Sequence, residues 1–292
     1  MAMTWVFLTL AVLAGDLGEL ENKIRAAIAG QKAAYGIAFR DLVDGETLVI
    51  NGDDRMHAAS TMKTPVMMRL FERVDRGELK LDQTIEIRNE FRSIVDDSLY
   101  QIGVDSDETL YDHLGQRLPL STLIEAMIAR SSNLATNILI QLADAEKTTA
   151  LMRRLGASDI LVRRGVEDLK AFERDLNNES SAKDMLAVMT ACADSDHFSA
   201  QSRKEMWRIL LLQAYNDMIP AGLPPDSGAA VAHKTGSISR VQHDAAIVAL
   251  PDGHRYVLVV FARDFGDETG RAQVKTTTAR ISRLVYDHVT GY

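Results

Sequence analysis

The sequence predicts an α+β fold in which strands from both ends of the chain build one antiparallel sheet around an inserted helical region. Three observations support it: strand-like runs near the N-terminus, helical periodicity through the middle, and strands again in the last quarter. The economical arrangement is a discontinuous α/β domain with a five-stranded antiparallel sheet flanked by terminal helices. An all-helical domain separates its second and third strands. We place the α/β domain at residues 16–56 and 213–292 and the helical domain at 57–212.

The first elements are a helix and a hairpin. The helix is amphipathic, because its apolar residues recur at helical spacing: Leu17, Leu20, Ile24 and Ile28. Residues 34–41 and 47–51 then have the pattern of strands, and Asp44-Gly45 between them is a hairpin turn signal. This half of the sheet is therefore expected to form from local contacts.

The middle of the chain predicts helices and the last quarter predicts strands. Residues 62–71 are apolar on nearly every face, as expected of a helix buried through a domain centre, and residues 123–128 form another helix. Strands follow at 229–235, 245–250 and 256–262. A closing helix is indicated by apolar residues at helical spacing: Val274, Ile281, Val285 and Val289.

Composition excludes several classes of function. The chain has a net charge of −8, which argues against binding nucleic acid or an anionic membrane. Its seven histidines form no H-x-H or H-E-x-x-H pair, so we expect no metal or other cofactor. The acidic run 105–108 lacks the glycine of a calcium loop and predicts a solvated turn. The single cysteine, Cys192, lies in an apolar helical stretch and predicts a buried, unreactive thiol.

The first fifteen residues, MAMTWVFLTLAVLAG, have the length and apolar character of a signal-peptide core and end in small residues. They are too short to span a bilayer, and no cysteine follows them to carry a lipid anchor. A cleavable signal is the favoured interpretation, although the usual basic start is missing. It predicts a periplasmic or secreted protein. The alternative is a packed N-terminal strand or helix.

A candidate nucleophile is present at Ser60, three residues before Lys63. This spacing puts both side chains on one helical face, where an amine can take the proton of a hydroxyl. The pattern alone is weak, because it recurs at Ser180 and Lys183. An isolated match is more often an N-cap serine followed by a solvated lysine.

Two later motifs support a catalytic interpretation of Ser60 and Lys63. Ser-Ser-Asn at 131–133 and Lys-Thr-Gly at 234–236 follow it in the order S-x-x-K, S-D-N, K-T-G. The chain thus resembles the superfamily of serine β-lactamases and penicillin-binding proteins, and class A β-lactamases most closely, from roughly Leu17 to the C-terminus. The resemblance implies a β-lactamase/transpeptidase-like fold with its active site between two lobes. It also implies a β-lactam substrate, a monomer and no cofactor.

The resemblance assigns four catalytic residues. Ser60 would be the nucleophile, and Ser131 the shuttle that carries a proton to the leaving nitrogen. Lys63 would be either a base with a depressed pKa or a positive hydrogen-bond partner. Glu167, on a loop that resembles the Ω-loop, would activate the deacylating water; Glu173 is the second candidate for that role.

The resemblance also assigns the substrate-binding residues. Asn133 would hydrogen-bond the substrate's side-chain amide, and Lys234 and Thr235 would bind its carboxylate. The backbone N–H groups of Ser60 and Ser237 would form the oxyanion hole, with Gly236 permitting close approach.

The chain departs from the family pattern at several positions. Ser132 replaces the usual aspartate, and extra residues lie between positions 90 and 115, near the predicted cleft mouth. His243-Asp244 occupies the place of the usual carboxylate-binding arginine, so Arg240 or Arg271 is the expected substitute. No proline follows Glu167, and Lys170 stands where asparagine is usual.

The function expected from these residues is β-lactam hydrolysis through an acyl-enzyme on Ser60. Two alternatives use the same motifs: a D-Ala-D-Ala peptidase or ester hydrolase, and a penicillin-binding protein that does not hydrolyse its ligand. They differ from a β-lactamase in how quickly the acyl group leaves.

Overall fold

A computed structural model of the protein describes residues 16–291, so the predicted signal segment at 1–15 lies outside the described residues. Helix α1 (Leu17–Ile28) begins at Asp16, whose side chain accepts a hydrogen bond from the Gly18 N–H. The strands β1 (Ala34–Asp41) and β2 (Thr47–Ile50) follow and pair as an antiparallel hairpin, as the sequence predicts.

The middle region is mainly helical. The helices are α2 (Lys63–Asp75), α3 (Leu120–Ala129), α4 (Asn133–Ala143), α5 (Ala145–Arg154), α6 (Leu169–Glu173), α7 (Ala182–Asp194) and α8 (Ala200–Leu211). Three short ladders join β3 (Met56–His57) to β8 (Glu179–Ser180), β4 (Thr84–Glu86) to β7 (Arg117–Pro119), and β5 (Phe91–Arg92) to β6 (Leu99–Tyr100). The expectation of a purely helical insert was wrong in this detail, because strands of two or three residues are too short to show a period-two pattern.

The C-terminal part completes the main sheet with β9 (Ala230–Ile238), β10 (Val241–Ala249) and β11 (Arg255–Arg263), followed by α9 (Glu268–Thr290). The strand order is β2-β1-β11-β10-β9, with all neighbours antiparallel. β11 pairs with β1, so the two ends of the chain meet in the middle of the sheet. The predicted five-stranded sheet built from both termini is confirmed.

Both faces of the sheet are covered. Along β11, Val257, Val259 and Phe261 pack with the helical region, whereas Leu258 and Val260 pack with α1 and α9. Because alternate residues enter two different cores, the strand reads as an unbroken apolar run rather than as a polar–apolar alternation. The sheet is therefore packed on both faces, and β9 is held at its edge by pairing with β10.

Helix α2 runs through the centre of the helical region, as predicted. Its residues from Lys63 to Glu72 are all buried, and Lys63 is fully buried at its first position. Cys192 on α7 is also buried, and this burial raises the pKa of its thiol to about 12, as expected of an unreactive cysteine. Within residues 16–291, no helix is both long and apolar enough to cross a bilayer.

Candidate active site

Ser60 lies in a 3-10 turn, Ala59–Met62, between the end of β3 and the start of α2. Ala59 has a left-handed backbone (φ 46°), which is uncommon for a residue with a side chain. The His57 ring supports it, because its Nδ1 accepts a hydrogen bond from the Ala59 N–H at 3.0 Å. The turn presents Ser60 to a cavity of about 230 Å³ that is also lined by Ser131, Thr235 and Ser237.

Lys63 follows Ser60 by one turn and points its amine at the 131–133 segment. Its Nζ donates to the Ser131 carbonyl at 2.7 Å, to Ser131 Oγ at 3.1 Å and to Asn133 Oδ1 at 3.1 Å. Burial lowers the pKa of this amine to about 7, while the negative charge of Asp105 opposes part of that shift. The charged amine uses all three of its N–H groups in these hydrogen bonds. A substantial fraction of Lys63 is neutral near pH 7, and this form gives up one of the three and has a lone pair that can accept a proton.

Lys234 approaches Ser131 from strand β9. Its Nζ donates to Ser131 Oγ at 3.2 Å and to the Thr235 carbonyl at 3.0 Å, and its side chain is fully buried. Burial and the nearby positive charge of Lys63 hold the pKa of Lys234 well below its usual range. Burial thus disfavours the charged form of both amines, and their like charges add to that effect at Lys234.

Ser131 is the point where these two lysines converge. Its backbone is left-handed (φ 60°), a conformation that a serine adopts at some energetic cost. Its hydroxyl oxygen has two lone pairs, so it can accept both amines and still donate its own hydrogen into the cavity. This arrangement suits a proton carrier between an amine and a substrate atom.

Strand β9 passes very close to the nucleophile. A β-carbon added at Gly236 would lie 3.1 Å from the backbone nitrogens of both Ser60 and Thr61. A side chain here would crowd the backbone of the turn that carries Ser60, and β9 or the turn would have to shift by a few tenths of an ångström, so glycine suits this position. Ser237, the next residue, is exposed at the same strand end.

Asn133 lies beside Lys63, but both ends of its side-chain amide already have partners. Its Oδ1 accepts from Lys63, and its Nδ2 donates to the Val104 carbonyl at 3.1 Å. The predicted contact between Asn133 and a substrate amide would have to share these groups.

The structure does not bring Glu167 into contact with the nucleophile. Asn137 clamps the neighbouring Val166 instead, accepting its N–H at 2.6 Å and donating to its carbonyl at 3.0 Å. Glu167 has a left-handed backbone (φ 58°), and its Oε2 accepts the Gly103 N–H at 2.8 Å. Among the described residues, it has no hydrogen bond to Ser60 or Lys63. The second candidate, Glu173, is exposed at the end of α6.

His243 does not occupy a substrate-binding position. It is fully buried, stacks on Phe261 at a centroid distance of 3.8 Å, and hydrogen-bonds the His57 carbonyl through Nε2 at 3.0 Å. Burial lowers its pKa to about 4, so it is neutral near pH 7. Its role in the structure is to hold the segment that leads to Ser60. Asp244 hydrogen-bonds the buried His233, with 2.9 Å between Asp244 Oδ1 and His233 Nδ1.

Of the two arginines predicted to replace the missing one, Arg271 is the one beside the cavity. Its Nη1 donates to Ser237 Oγ and to Gln242 Oε1, and both of these residues line the cavity. Arg240 is more exposed and forms an ion pair with Asp264, with 3.4 Å between Arg240 Nη2 and Asp264 Oδ1. A substrate carboxylate at Ser237 would therefore meet Arg271.

Sequence reasoning missed Asp105. The acidic run was predicted to be a solvated turn, and this was wrong: the Asp105 carboxylate accepts the N–H groups of Asn133 at 2.7 Å and Leu134 at 2.8 Å. Asp107 is buried and binds Arg130 at 2.8 Å. The absence of an aspartate at Ser132 was the only sequence signal that another carboxylate was needed.

The second S-x-x-K pattern has no comparable surroundings. Ser180 is buried in β8 and donates to the Ser181 carbonyl, whereas Lys183 is exposed and pairs with Asp53 at 2.8 Å. The sequence spacing is the same, but the two side chains serve separate structural contacts.

The sequence model described as the beta-lactamase enzyme family matches residues 19–289, nearly the whole described chain. The chain belongs to this family. A curated relative named beta-lactamase, from Bacteroides uniformis, is 27% identical and covers 94% of this chain and 93% of its own length. The extended-spectrum beta-lactamase PER-1 from Pseudomonas aeruginosa is 23% identical and covers 86% of this chain and 81% of its own length.

Solved structures of the family agree with the fold. The structure of PBP-A superposes with a TM-score of 0.80 at 27% identity, covering 94% of this chain and 97% of that one. A beta-lactamase from Chitinophaga pinensis has a TM-score of 0.80 at 25% identity, covering 93% of this chain and 99% of that one. A variant of PBP-A was solved as an acyl-enzyme with penicillin G.

Proposed function

We propose that this member of the family is a serine β-lactamase that hydrolyses the β-lactam amide through an acyl-enzyme on Ser60. One observation carries the proposal: Lys63 and Lys234 donate to the same hydroxyl of Ser131 at 3.1 and 3.2 Å, in a cavity that Ser60 also lines. The relatives named as beta-lactamases support the substrate class.

In the proposed acylation, Ser60 Oγ attacks the β-lactam carbonyl carbon while its proton passes to the neutral amine of Lys63. The carbon–nitrogen bond of the ring then breaks. The leaving nitrogen receives a proton from Ser131 Oγ, and Ser131 takes back the proton that Lys63 accepted from Ser60, which makes Lys63 neutral again. The depressed pKa of Lys63 supports this route, because a fully charged amine could not accept the first proton.

The negative charge that develops on the carbonyl oxygen would be bound by the backbone N–H groups of Ser60 and Ser237. The close approach of β9 at Gly236 supports this assignment, because it brings the strand edge against the turn of the nucleophile. The substrate carboxylate would lie between Lys234, Thr235 and the Arg271 guanidinium beside Ser237.

Deacylation requires a water molecule to attack the ester and lose a proton. We assign that proton to Glu167, whose Oε1 has no hydrogen-bond partner among the described residues. Its Oε2 is held by Gly103, but a carboxylate has about four acceptor positions and can serve both groups. Ser60 Oγ leaves with the proton that Glu167 took from water, so Glu167 is a carboxylate again and Lys63 remains neutral, as in the starting state.

We further propose that the activity lies in the periplasm or outside the cell. The apolar segment at 1–15 supports this location. N-terminal sequencing of protein exported by a bacterial host tests it: cleavage near Gly15 is expected, and an intact Met1 on exported protein contradicts it.

Turnover of a chromogenic cephalosporin tests the function. Sustained hydrolysis that survives excess chelator and disappears in Ser60→Ala is expected. Lys183→Ala, in the second S-x-x-K pattern, is the matched control and should retain full activity. A stoichiometric burst that leaves a stable adduct of the protein's mass plus the drug would instead support the penicillin-binding or peptidase alternative. Full turnover by Ser60→Ala would contradict both.

A further inference from the structure

Residues 103–107 form a segment that touches both sides of the candidate site. At one end, the Gly103 N–H binds Glu167. At the other end, Ser106 Oγ lies 3.4 Å from the Ser131 carbonyl, which Lys63 also binds. The segment lies between positions 90 and 115, the stretch in which extra residues are expected.

Asp105 is the anchor of this segment. Its carboxylate accepts five hydrogen bonds: from the N–H groups of Asn133 and Leu134 at 2.7 and 2.8 Å, and from Ser132 Oγ, Tyr111 Oη and the Asp107 N–H at 3.3 Å each. Three of these donors belong to the turn that carries Ser131. A carboxylate saturated in this way has little freedom to move, and neither does the turn.

Residues 104 and 105 also influence Lys63, because both hold Asn133, which contacts the Lys63 amine. Asp105 fixes the Asn133 backbone, and the adjacent Val104 carbonyl fixes its side-chain Nδ2. The other end of that amide, Oδ1, faces the Lys63 amine at 3.1 Å. The orientation of Asn133, and with it one of the three acceptors of Lys63, is thus set by residues 104 and 105.

We propose that Asp105 is a positioning residue for the reaction at Ser60: it holds the 131–133 turn against Lys63 and supplies, from a neighbouring loop, the carboxylate that this turn lacks at Ser132. The inference rests on the proposed function of Ser60 for its kinetic part. It makes the orientation of Ser131 depend on the 103–107 segment.

The charge of Asp105 has a separate effect. The charged groups that act on Lys63 are Asp105, which raises the pKa of its amine, and Lys234, which interacts with it as a like charge. Removing the negative charge should therefore lower the pKa of Lys63 further, since burial would act with less opposition.

The decisive variants are Asp105→Asn and the double variant Asp105→Asn/Ser132→Asp. Asparagine keeps the shape but turns an NH₂ group toward one of the two backbone N–H donors. The rate of Ser60 acylation by a fluorescent penicillin should fall by at least about tenfold, the usual scale for losing a charged hydrogen bond. In the double variant, an aspartate at 132 can cap α4 and restore a carboxylate within the turn. Recovery to within roughly threefold of the parent is expected.

Asp107→Asn is the matched control. This carboxylate is buried in the same segment and binds Arg130, but it does not touch the N–H groups of Asn133 or Leu134. It should lower the melting temperature without moving the pH dependence of acylation. An equal loss and an equal pH shift in Asp107→Asn would overturn the proposal, because the effect would then be general loosening of the loop.

A second readout needs no substrate. The pKa of the Lys63 amine, followed by NMR titration of the free protein at a temperature where every variant is folded, should fall in Asp105→Asn and return in the double variant. An unchanged Lys63 titration together with unchanged acylation overturns the proposal. If the parent is not acylated at all, the function of Ser60 fails, and the titration still decides the role of Asp105.

Discussion

Lys63 and Lys234 both donate to the hydroxyl of Ser131, one from the start of α2 and the other from strand β9. Charging both lysine amines at once is costly, because both are fully buried and they share one hydrogen-bond acceptor. The site therefore favours a state in which one lysine is neutral. This is the property on which the proposed acylation depends.

The rate of acylation should depend on pH with an acidic limb near pH 7. The pKa of Lys63 is lowered to about 7, so below that pH the amine is protonated and cannot take the proton of Ser60. The rate should fall about tenfold for each pH unit below the limb. Stopped-flow measurement of penicillin acylation between pH 5 and 9 checks this. A flat profile over that range would exclude Lys63 as the base.

Lys234→Ala should weaken productive binding of the substrate carboxylate. The incoming carboxylate favours the charged form of the Lys234 amine, and the loss of one charged hydrogen bond corresponds to roughly 1.5–3 kcal/mol in kcat/KM. Steady-state kinetics with a penicillin measure it, and Lys183→Ala controls for the loss of a lysine elsewhere. Because Lys234 also contacts Ser131, a drop in kcat is expected alongside the rise in KM. An unchanged kcat/KM would remove Lys234 from the site.

Glu167→Gln should separate the two halves of the reaction. Acylation uses Lys63 and should continue, whereas deacylation loses its base, which typically contributes about 10²–10⁴-fold. The acyl-enzyme should then accumulate, and intact-protein mass spectrometry detects it. Glu173→Gln is the control, since this carboxylate is exposed on α6 and should leave turnover unchanged.

Two other outcomes would change the assignment. If Glu173→Gln traps the adduct and Glu167→Gln does not, the assignment of Glu167 is wrong and Glu173 is the base. If neither traps it, the water is not activated by a carboxylate of this loop. Asn137 hydrogen-bonds the backbone of Val166, which has no ionisable group, and neither of the two glutamates. The two variants are therefore needed to distinguish Glu167 from Glu173 as the base.

The protein should lose stability in mild acid. Burial lowers the pKa values of His57 and His243 to about 4, below the ordinary 6.5, so the unfolded chain binds protons first as the pH falls. Their contribution is complete above about pH 6.5 and is lost as the pH falls from there toward 4. Thermal melting at half-unit pH steps should show this decline.

His243→Gln tests the source of that decline. Glutamine can still donate to the His57 carbonyl but does not titrate, so the melting temperature should depend less on pH between 6.5 and 4 than in the parent. The same slope in both proteins would assign the acid sensitivity to other groups.

The sequence predicted the parts of this molecule that have local patterns. The sheet strands, the buried helix after Ser60 and the three motifs follow from periodicity and spacing within a few residues. Asp105 escaped prediction because its partners, Asn133 and Leu134, lie in a distant stretch of sequence and are bound through their backbones. No side-chain pattern records such a contact.

His243 illustrates a second limit. Its position in the sequence matches that of a substrate-binding arginine, yet its ring faces Phe261 and the His57 carbonyl inside the protein. Which side of a strand a residue faces can be predicted from alternation, but β10 is buried on both faces and offers no alternation to use. The neighbouring Arg271, from α9, could be placed only by the folded chain.

The pairing of β1 with β11 has a consequence for the order of events during synthesis. Ala34 pairs with Arg263 and Asp41 with Tyr256, so the first strand to leave the ribosome finds its central partner only when the chain is almost finished. At about 5–20 residues per second, that delay is on the order of ten seconds or more. Until then the N-terminal hairpin has an open edge along β1. A chain built this way is suited to remaining unfolded until its last segment is released.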